Sequence, residues 1–206
     1  MDWRIGRMVA DSAPMADHDL DAIDLRPPTV TGLVQLIVDG EHFHRVVQEG
    51  MLRAEVSLDI ATADFKSMWV PAPGAKAQSI VRWLVALAHR GVEIRLLHAG
   101  VPSGPALQEL ARGLPENFVV RRCPRLHAKS VIVDSTKMYL GSANLTGAGL
   151  GAKARDRRNF EWGIWTESIA LIDAVAQRFN ALWEGECCYG CQRRDVCPVP
   201  LEEPQL

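Results

Sequence analysis

The sequence lacks the long apolar segments that membrane and exported proteins carry. Its first twenty residues are polar and acidic and have no apolar centre, so no secretory signal peptide is predicted. The longest apolar-rich segment, Ile80 to Ala88, contains Arg82 and is much shorter than the roughly 20 residues that a transmembrane helix needs. We therefore expect a cytoplasmic protein that does not bind a membrane.

The sequence also lacks an internal repeat and any strong overall excess of one charge. Its formal net charge is -2, with 48% hydrophobic and 23% charged residues, which is typical of a folded protein and not of a disordered chain. A chain of 206 residues is long enough for one domain with its own core. We expect a single folded domain and not two copies of one fold.

Predicted strands alternate with predicted helices along most of the chain. Alternating or continuous apolar runs predict strands at residues 30–38, 55–61, 92–98, 118–122, 131–133, 137–140 and 160–166. Apolar residues at helical spacing predict helices at residues 41–54, 77–90, 105–112 and 169–183. This alternation predicts an α/β fold with a mixed or largely parallel sheet flanked by helices on both faces.

The most informative stretch runs from Arg125 to Asp134 and has the sequence RLHAKSVIVD. His127 and Lys129 are two residues apart, so on an extended strand both side chains point to the same face, which pairs a nucleophile with a cation. The next predicted strand leads directly into Ser142 and Asn144. Lysine, serine and asparagine are donors that can converge on phosphate oxygens. This pattern predicts a site that cleaves phosphodiesters.

The chain resembles the phospholipase D superfamily in three linked motifs. These are H-x-K-x4-D from His127 to Asp134, G-S-x-N from Gly141 to Asn144, and N-x-E from Asn159 to Glu161. The resemblance covers roughly residues 30 to 184 and implies a phospholipase D-like α/β sandwich. It also implies catalysis through a covalent phosphohistidine, with no metal or other cofactor in the reaction.

The resemblance implies a role for each residue of the catalytic set. His127 is the nucleophile, and Glu161 accepts a hydrogen bond from its second ring nitrogen. Asp134 belongs to the motif, and two roles remain open for it: contact with the substrate, or holding the adjoining loop. The residues that bind the phosphate are Lys129, Ser142 and Asn144.

The histidine–lysine pair occurs only once. None of the other histidines has a lysine two residues further on. Cleavage through a phosphohistidine needs an acid that protonates the leaving oxygen, and a second histidine across the phosphorus would serve best. We therefore expect a homodimer in which two copies of His127 share one active site, because a two-fold axis brings identical residues face to face.

Basic residues concentrate around the motif although the whole chain is slightly acidic. Between Arg121 and Arg158 nine basic residues stand against two acidic ones, a local charge of +7. A basic field beside such a site favours a polyanionic substrate such as DNA or RNA. Arginines on a loop are also commonly solvent-exposed residues that bind no nucleic acid. The predicted nucleic-acid contacts are Arg121, Arg122, Arg125, Lys153, Arg155, Arg157 and Arg158.

Four of the five cysteines lie within eleven residues near the carboxyl terminus. In a chain without an export signal, this favours a metal or cluster site over a disulfide framework, and both disulfides and free thiols remain as alternatives. The spacing of the last three cysteines is similar to that of the iron–sulfur ligands of RecB-like nucleases, with Cys187 or Cys123 as the fourth ligand. Structural zinc fits the ligand type equally well. The predicted ligands are Cys187, Cys188, Cys191 and Cys197.

Three regions and three functions follow as expectations. The regions are an acidic, flexible leader over residues 1–28, a phospholipase D-like catalytic domain over residues 29–184, and a cysteine-rich tail over residues 185–206. The first function is a nuclease, taken as an endonuclease, in a restriction or defence system with partner subunits. The second is a phospholipase or phosphatidyl transferase that acts on lipids. The third is a catalytically silent module that binds nucleic acid.

Overall fold

The computed structural model describes residues 32–72 and 75–197. The predicted acidic leader and the chain from residue 198 onward lie outside the described residues. The strands are β1 Val34–Val38, β2 Ser57–Thr62, β3 Trp69–Ala72, β4 Ala75–Ser79, β5 Glu93–His98, β6 Phe118–Arg122, β7 Ser130–Val133, β8 Lys137–Gly141 and β9 Trp162–Thr166. The α-helices are α1 Ile80–His89, α2 Gly104–Leu110 and α3 Ile169–Trp183. A π-helical segment, Phe43–Gly50, leads into the 3-10 turn Met51–Arg53.

Seven strands form one mixed sheet in the order β1-β9-β8-β7-β2-β5-β6, and β3 and β4 form a separate antiparallel hairpin. Within the large sheet, β2, β5 and β6 are parallel, and the other neighbouring pairs are antiparallel. The predicted α/β fold with a mixed sheet is confirmed. Among the described residues, no helix is long and apolar enough to cross a membrane.

Helices cover both faces of the sheet, because successive strand residues point to opposite sides. On one face Leu58 and Ile60 of β2 pack in the main core with Val47 and Leu84 from the helices of that side. On the other face α3 covers the sheet, and its Ile172 packs in a cluster with buried residues of β7 and β8. Strand β7 is buried along its whole length, which explains its continuous apolar sequence.

One predicted helix begins later in the structure, and another is of a different type. The helix predicted from residue 77 begins at Ile80, because the preceding segment pairs with β3 as a hairpin, and the Ser79 hydroxyl caps the helix by accepting from the Arg82 N–H. The helix predicted over residues 41–54 is mainly π-helical. Strand β6 and helix α3 have the predicted bounds.

One edge of the sheet is formed by ends of its seven strands. Strands β1, β2, β5, β6 and β8 end there, and β7 and β9 begin there, as the registers require. Gly141 of β8 and Gly163 of β9 are direct partners. A Cβ at Gly163 would lie 2.6 Å from Cε2 of Tyr139, so this close strand approach requires glycine. All residues of the predicted catalytic set except Asp134 lie at this edge.

Candidate active site

His127 and Lys129 lie in an irregular segment directly before β7. The same-face argument assumed an extended strand at these two residues, but the ladder begins only at Ser130, although the Lys129 carbonyl accepts from the Gly141 N–H at 3.1 Å. The Lys129 ammonium donates to the His127 carbonyl at 2.7 Å and lies 3.3 Å from both ring nitrogens of His127. The His127 side chain is exposed. A solvent-accessible imidazole is therefore in direct contact with the Lys129 ammonium.

Burial lowers the pKa of Lys129, and the negative charge of Glu161 opposes this effect. Glu161 is itself buried, at the start of β9. A lysine in this half-buried position is weakly hydrated, so its charge acts strongly on any anion that comes next to His127. This is the electrostatic arrangement that a phosphate site needs.

Glu161 organises its neighbours through both carboxylate oxygens. Oε1 accepts from the Asn159 amide at 3.0 Å, and Oε2 accepts from the Ser142 hydroxyl. The Glu161 N–H donates to Oδ1 of Asp39 at 3.0 Å, which holds β9 to the end of β1. In the described part of the chain no hydrogen bond joins Glu161 to His127. The orienting role expected for Glu161 therefore stays a prediction, and its observed partners are Ser142 and Asn159.

The side chain of Asn144 is positioned by hydrogen bonds from the end of β2 and the loop that follows it. Its Oδ1 accepts from the Asp64 N–H at 3.0 Å and from the Thr62 hydroxyl at 3.3 Å. Because the oxygen takes these donors, the amide Nδ2 is the group that Asn144 has left for a ligand. The Ser142 hydroxyl accepts from the Trp162 N–H at 3.2 Å, so main-chain contacts position Ser142 as well.

A polar groove of about 440 Å³ adjoins Asn144. Asn144 and Asn159 line it together with Lys66, Lys153 and Ser103. No motif points to Lys66, because it lies about 80 positions before Asn144 in the sequence. Its place beside the site depends on the bridge between Phe65 and Leu145, a non-local pairing. Asn159 was recognisable from the N-x-E motif, although no role was assigned to it.

Asp134 does not belong to this site, which corrects its placement in the catalytic set. It follows β7 at the opposite end of the strand, about 16 Å along the chain from Lys129. Its Oδ1 accepts from the N–H groups of Val56 and Ser57 at 2.8 and 2.9 Å, and from that of Glu55 at 3.2 Å. Asp134 therefore holds the start of β2, which agrees with the loop-holding alternative.

The structure places the predicted basic contacts in several different regions. Arg121 lies over the Trp183 ring at 4.6 Å and donates to its carbonyl, and Arg122 donates to the Ala99 carbonyl at 2.9 Å, so both have partners within the protein. A second cavity of about 630 Å³ lies beside the groove and contains two of the loop arginines. The predicted basic residues that line the groove or this cavity are Lys153, Arg155 and Arg158.

All five cysteines line one further cavity of about 250 Å³, which His127 also borders. Within residues 32–72 and 75–197, no three His, Cys, Asp or Glu side chains are grouped closely enough to hold a metal ion. The predicted metal site at Cys187, Cys188, Cys191 and Cys197 therefore stays a prediction. The predicted contact at Arg125 falls in this region, because its guanidinium lies 3.8 Å from the Cys191 sulfur.

A comparison with protein families shows to which family the chain belongs. The family described as "Cardiolipin synthase, PLD-like domain" matches residues 48–183, which include the whole site. The chain belongs to this phospholipase D-like family. The resemblance expected from the motifs is thereby confirmed, and with it a family chemistry directed at phosphodiesters.

Two solved structures of phospholipase D-like proteins share the fold. The phospholipase D family member Nuc from Salmonella typhimurium is 22% identical, with a TM-score of 0.54 over 75% of this chain and 95% of that one. NucT from Helicobacter pylori is 17% identical, with a TM-score of 0.56 over 75% and 97%. At these identities the likeness concerns the fold alone. No curated protein matches the chain.

Proposed function

We propose that the protein is a nuclease that cleaves DNA or RNA through a covalent phosphohistidine on His127, without a metal in the reaction. The observation that carries this proposal is the contact between the exposed His127 imidazole and the Lys129 ammonium. It lies beside a buried carboxylate that is hydrogen-bonded to Ser142 and Asn159. The nucleophile, the cation and the polar donors thus lie at the same edge of the sheet.

The reaction takes two steps. A ring nitrogen of His127 donates its electron pair to phosphorus, the phosphorus–oxygen bond to the leaving group breaks, and an acid protonates the leaving oxygen. Water then attacks the phosphohistidine, the nitrogen–phosphorus bond breaks, and the water's proton passes to a base. Lys129 and the Asn144 amide stabilise the charge that develops on the phosphate oxygens.

Nucleic acid is favoured as the substrate because cations continue beyond the reacting position. Lys66 and Lys153 line the groove next to Asn144, and Arg155 and Arg158 line the neighbouring cavity. Regularly spaced phosphates along a strand would meet such a row of cations, whereas a lipid has a single headgroup. Phe160 is 88% exposed beside this region and offers a ring on which a base can stack.

The proposed nuclease acts as a homodimer. Leu36 on edge strand β1 and Trp162 on β9 are 66% and 65% exposed, and the register places both on the same face of the sheet, together with Val38. Exposed apolar side chains of this size indicate a protein contact, and a second copy is the partner that supplies the missing acid. Trp162 directly follows Glu161 in the chain, so a copy bound to this surface would lie next to the strand that carries Glu161.

A substrate comparison tests the proposal. Labelled DNA and RNA oligonucleotides and phosphatidylcholine vesicles are each incubated with the protein in the presence of a chelator. We expect cleavage of an oligonucleotide, intact lipid, and loss of cleavage in His127→Ala but not in His89→Ala, which replaces an exposed histidine far along the chain from the motif. Lipid hydrolysis alone would show a lipid enzyme, and binding without cleavage a silent binding module; either result overturns the proposal.

A further inference from the structure

The cavity lined by cysteines joins two distant parts of the chain. Cys123 directly follows β6, whereas Cys187, Cys188, Cys191 and Cys197 come from the segment after α3, yet all five border the same space of about 250 Å³. Cys123 and Cys188 also pack against one apolar cluster that contains Leu126 and Trp183. The fold therefore gathers every cysteine of the chain at one place.

The cysteines border an open space of about 250 Å³. Four thiolates around one zinc ion stand about 2.3 Å from the metal and lie in close contact with each other. No such group exists in the part of the chain that the structure describes. The cysteines instead surround an open cavity. An iron–sulfur cluster is larger than a single ion. Its four cysteine ligands stand further apart, because they are shared among several iron atoms.

The charges around the cavity suit an anionic cluster. Four arginines line it with the cysteines: Arg125, Arg178, Arg193 and Arg194. A cluster that carries four thiolates is negative overall, and these guanidinium groups would balance it. The Arg125 guanidinium donates to the Cys191 sulfur, with 3.8 Å between Nη1 and Sγ. Such donors to sulfur are a usual feature around iron–sulfur clusters.

We propose that Cys123, Cys188, Cys191 and Cys197 bind an iron–sulfur cluster in this cavity. Each of the four thiols loses its proton, and each thiolate donates an electron pair to iron, so binding itself changes no oxidation state. Cys187 is left out because it is the direct neighbour of Cys188, and two adjacent residues seldom reach one cluster together.

The cluster would connect the cysteine-rich segment to the nucleophile, a consequence that rests on the proposed function. Pro124, Arg125 and His127 form a wall of the cavity. The Arg193 guanidinium donates to the Pro124 carbonyl at 3.2 Å. This hydrogen bond joins the segment after α3, four residues before Cys197, to a position three residues before His127. With Cys123 bound to the cluster at one end, the chain that leads to His127 would be held in place.

The test measures the cluster itself and not the activity. The full chain is purified under anaerobic conditions, and its iron, acid-labile sulfide and zinc contents are determined together with its visible absorption spectrum. Four variants, each with one of the proposed ligand cysteines replaced by serine, are compared with Cys187→Ser as the matched control. Far-ultraviolet circular dichroism checks that every variant is folded.

We expect a coloured wild-type protein with iron and sulfide in equal amounts, at least two of each per chain. Cys187→Ser should keep both, and Cys191→Ser and Cys123→Ser should lose most of both. A colourless, iron-free protein, with or without zinc, would overturn the proposal. Loss of iron in Cys187→Ser with retention in Cys123→Ser would overturn the ligand assignment. A cluster found in a protein that cleaves no oligonucleotide would refute the proposed function and leave this inference standing.

Discussion

Substitution of Asp134 by alanine separates a structural role of this carboxylate from a catalytic one. The carboxylate accepts from the N–H groups of Glu55, Val56 and Ser57 at 2.8 to 3.2 Å and so holds the start of β2. Asp134 also has a φ of +51°, in the left-handed region that aspartate and asparagine tolerate better than alanine. Alanine therefore loses the hydrogen bonds and strains the turn, while the opposite end of β7 stays unchanged.

The expected cost follows from these contacts. Hydrogen bonds to a charged group contribute about 1.5–3 kcal/mol each when well shielded, but water replaces part of this at a half-buried site. With about 1 kcal/mol for the left-handed backbone, Asp134→Ala should lower the free energy of unfolding by about 3 kcal/mol. Asp134→Asn keeps one acceptor oxygen and the turn preference, and should cost about 1 kcal/mol.

Urea denaturation and thermal melting measure the two variants, and oligonucleotide cleavage measures kcat at a temperature where both are folded. Asp134→Ala should lower Tm by about 6–12 °C and leave kcat nearly unchanged. A fall of about 100-fold in kcat, which equals about 2.7 kcal/mol of transition-state stabilisation, together with an unchanged Tm would refute this reasoning. Asp134 would then act at the reaction centre and not at β2.

Three further predictions concern the cation, the glycine pair and the dimer surface. Because burial lowers the pKa of Lys129, its ammonium loses its proton at a lower pH than that of an ordinary lysine, and kcat/KM should fall at that lower pH. Lys129→Arg should keep its charge and extend the active range to higher pH. Equal pH profiles of the two proteins would contradict this. Gly163→Ala places a Cβ 2.6 Å from Tyr139 and should cost about 1–3 kcal/mol in urea denaturation, whereas Gly104→Ala, which meets nothing within 4 Å, should not. Leu36→Asp should convert a dimer into an inactive folded monomer by analytical ultracentrifugation, and an unchanged mass would exclude this surface as the interface.

The sequence predicted the parts of the fold that depend on local signals. Strand β6 lies between turns, and helix α3 follows Ser168 with a regular apolar face, so both have the predicted bounds. The hairpin of β3 and β4 was missed, because the segment Ala75–Ser79 continues into α1 and its pairing with β3 is a tertiary contact. The Ile80 N–H donates to the Met68 carbonyl at 2.8 Å, a contact that no local pattern indicates.

The grouping of the motif residues at one edge of the sheet was predictable for the same reason, since they are close in sequence. What could not be predicted is how residues from distant segments share the site. Lys66 reaches the groove only through the loop that supports Asn144, and Asp39 holds Glu161 from across 122 positions. Asp134 belongs to the motif by spacing alone, but an antiparallel strand carries it away from the edge where His127 lies.

The covalent intermediate is the direct test of the central claim. The protein is mixed with a slight excess of end-labelled oligonucleotide, quenched in alkaline denaturant within the first turnover, digested, and analysed by mass spectrometry. We expect a labelled nucleotide attached through phosphorus to the peptide that contains His127, and no adduct in His127→Ala. An adduct on another residue, or full cleavage by His127→Ala, would contradict the account.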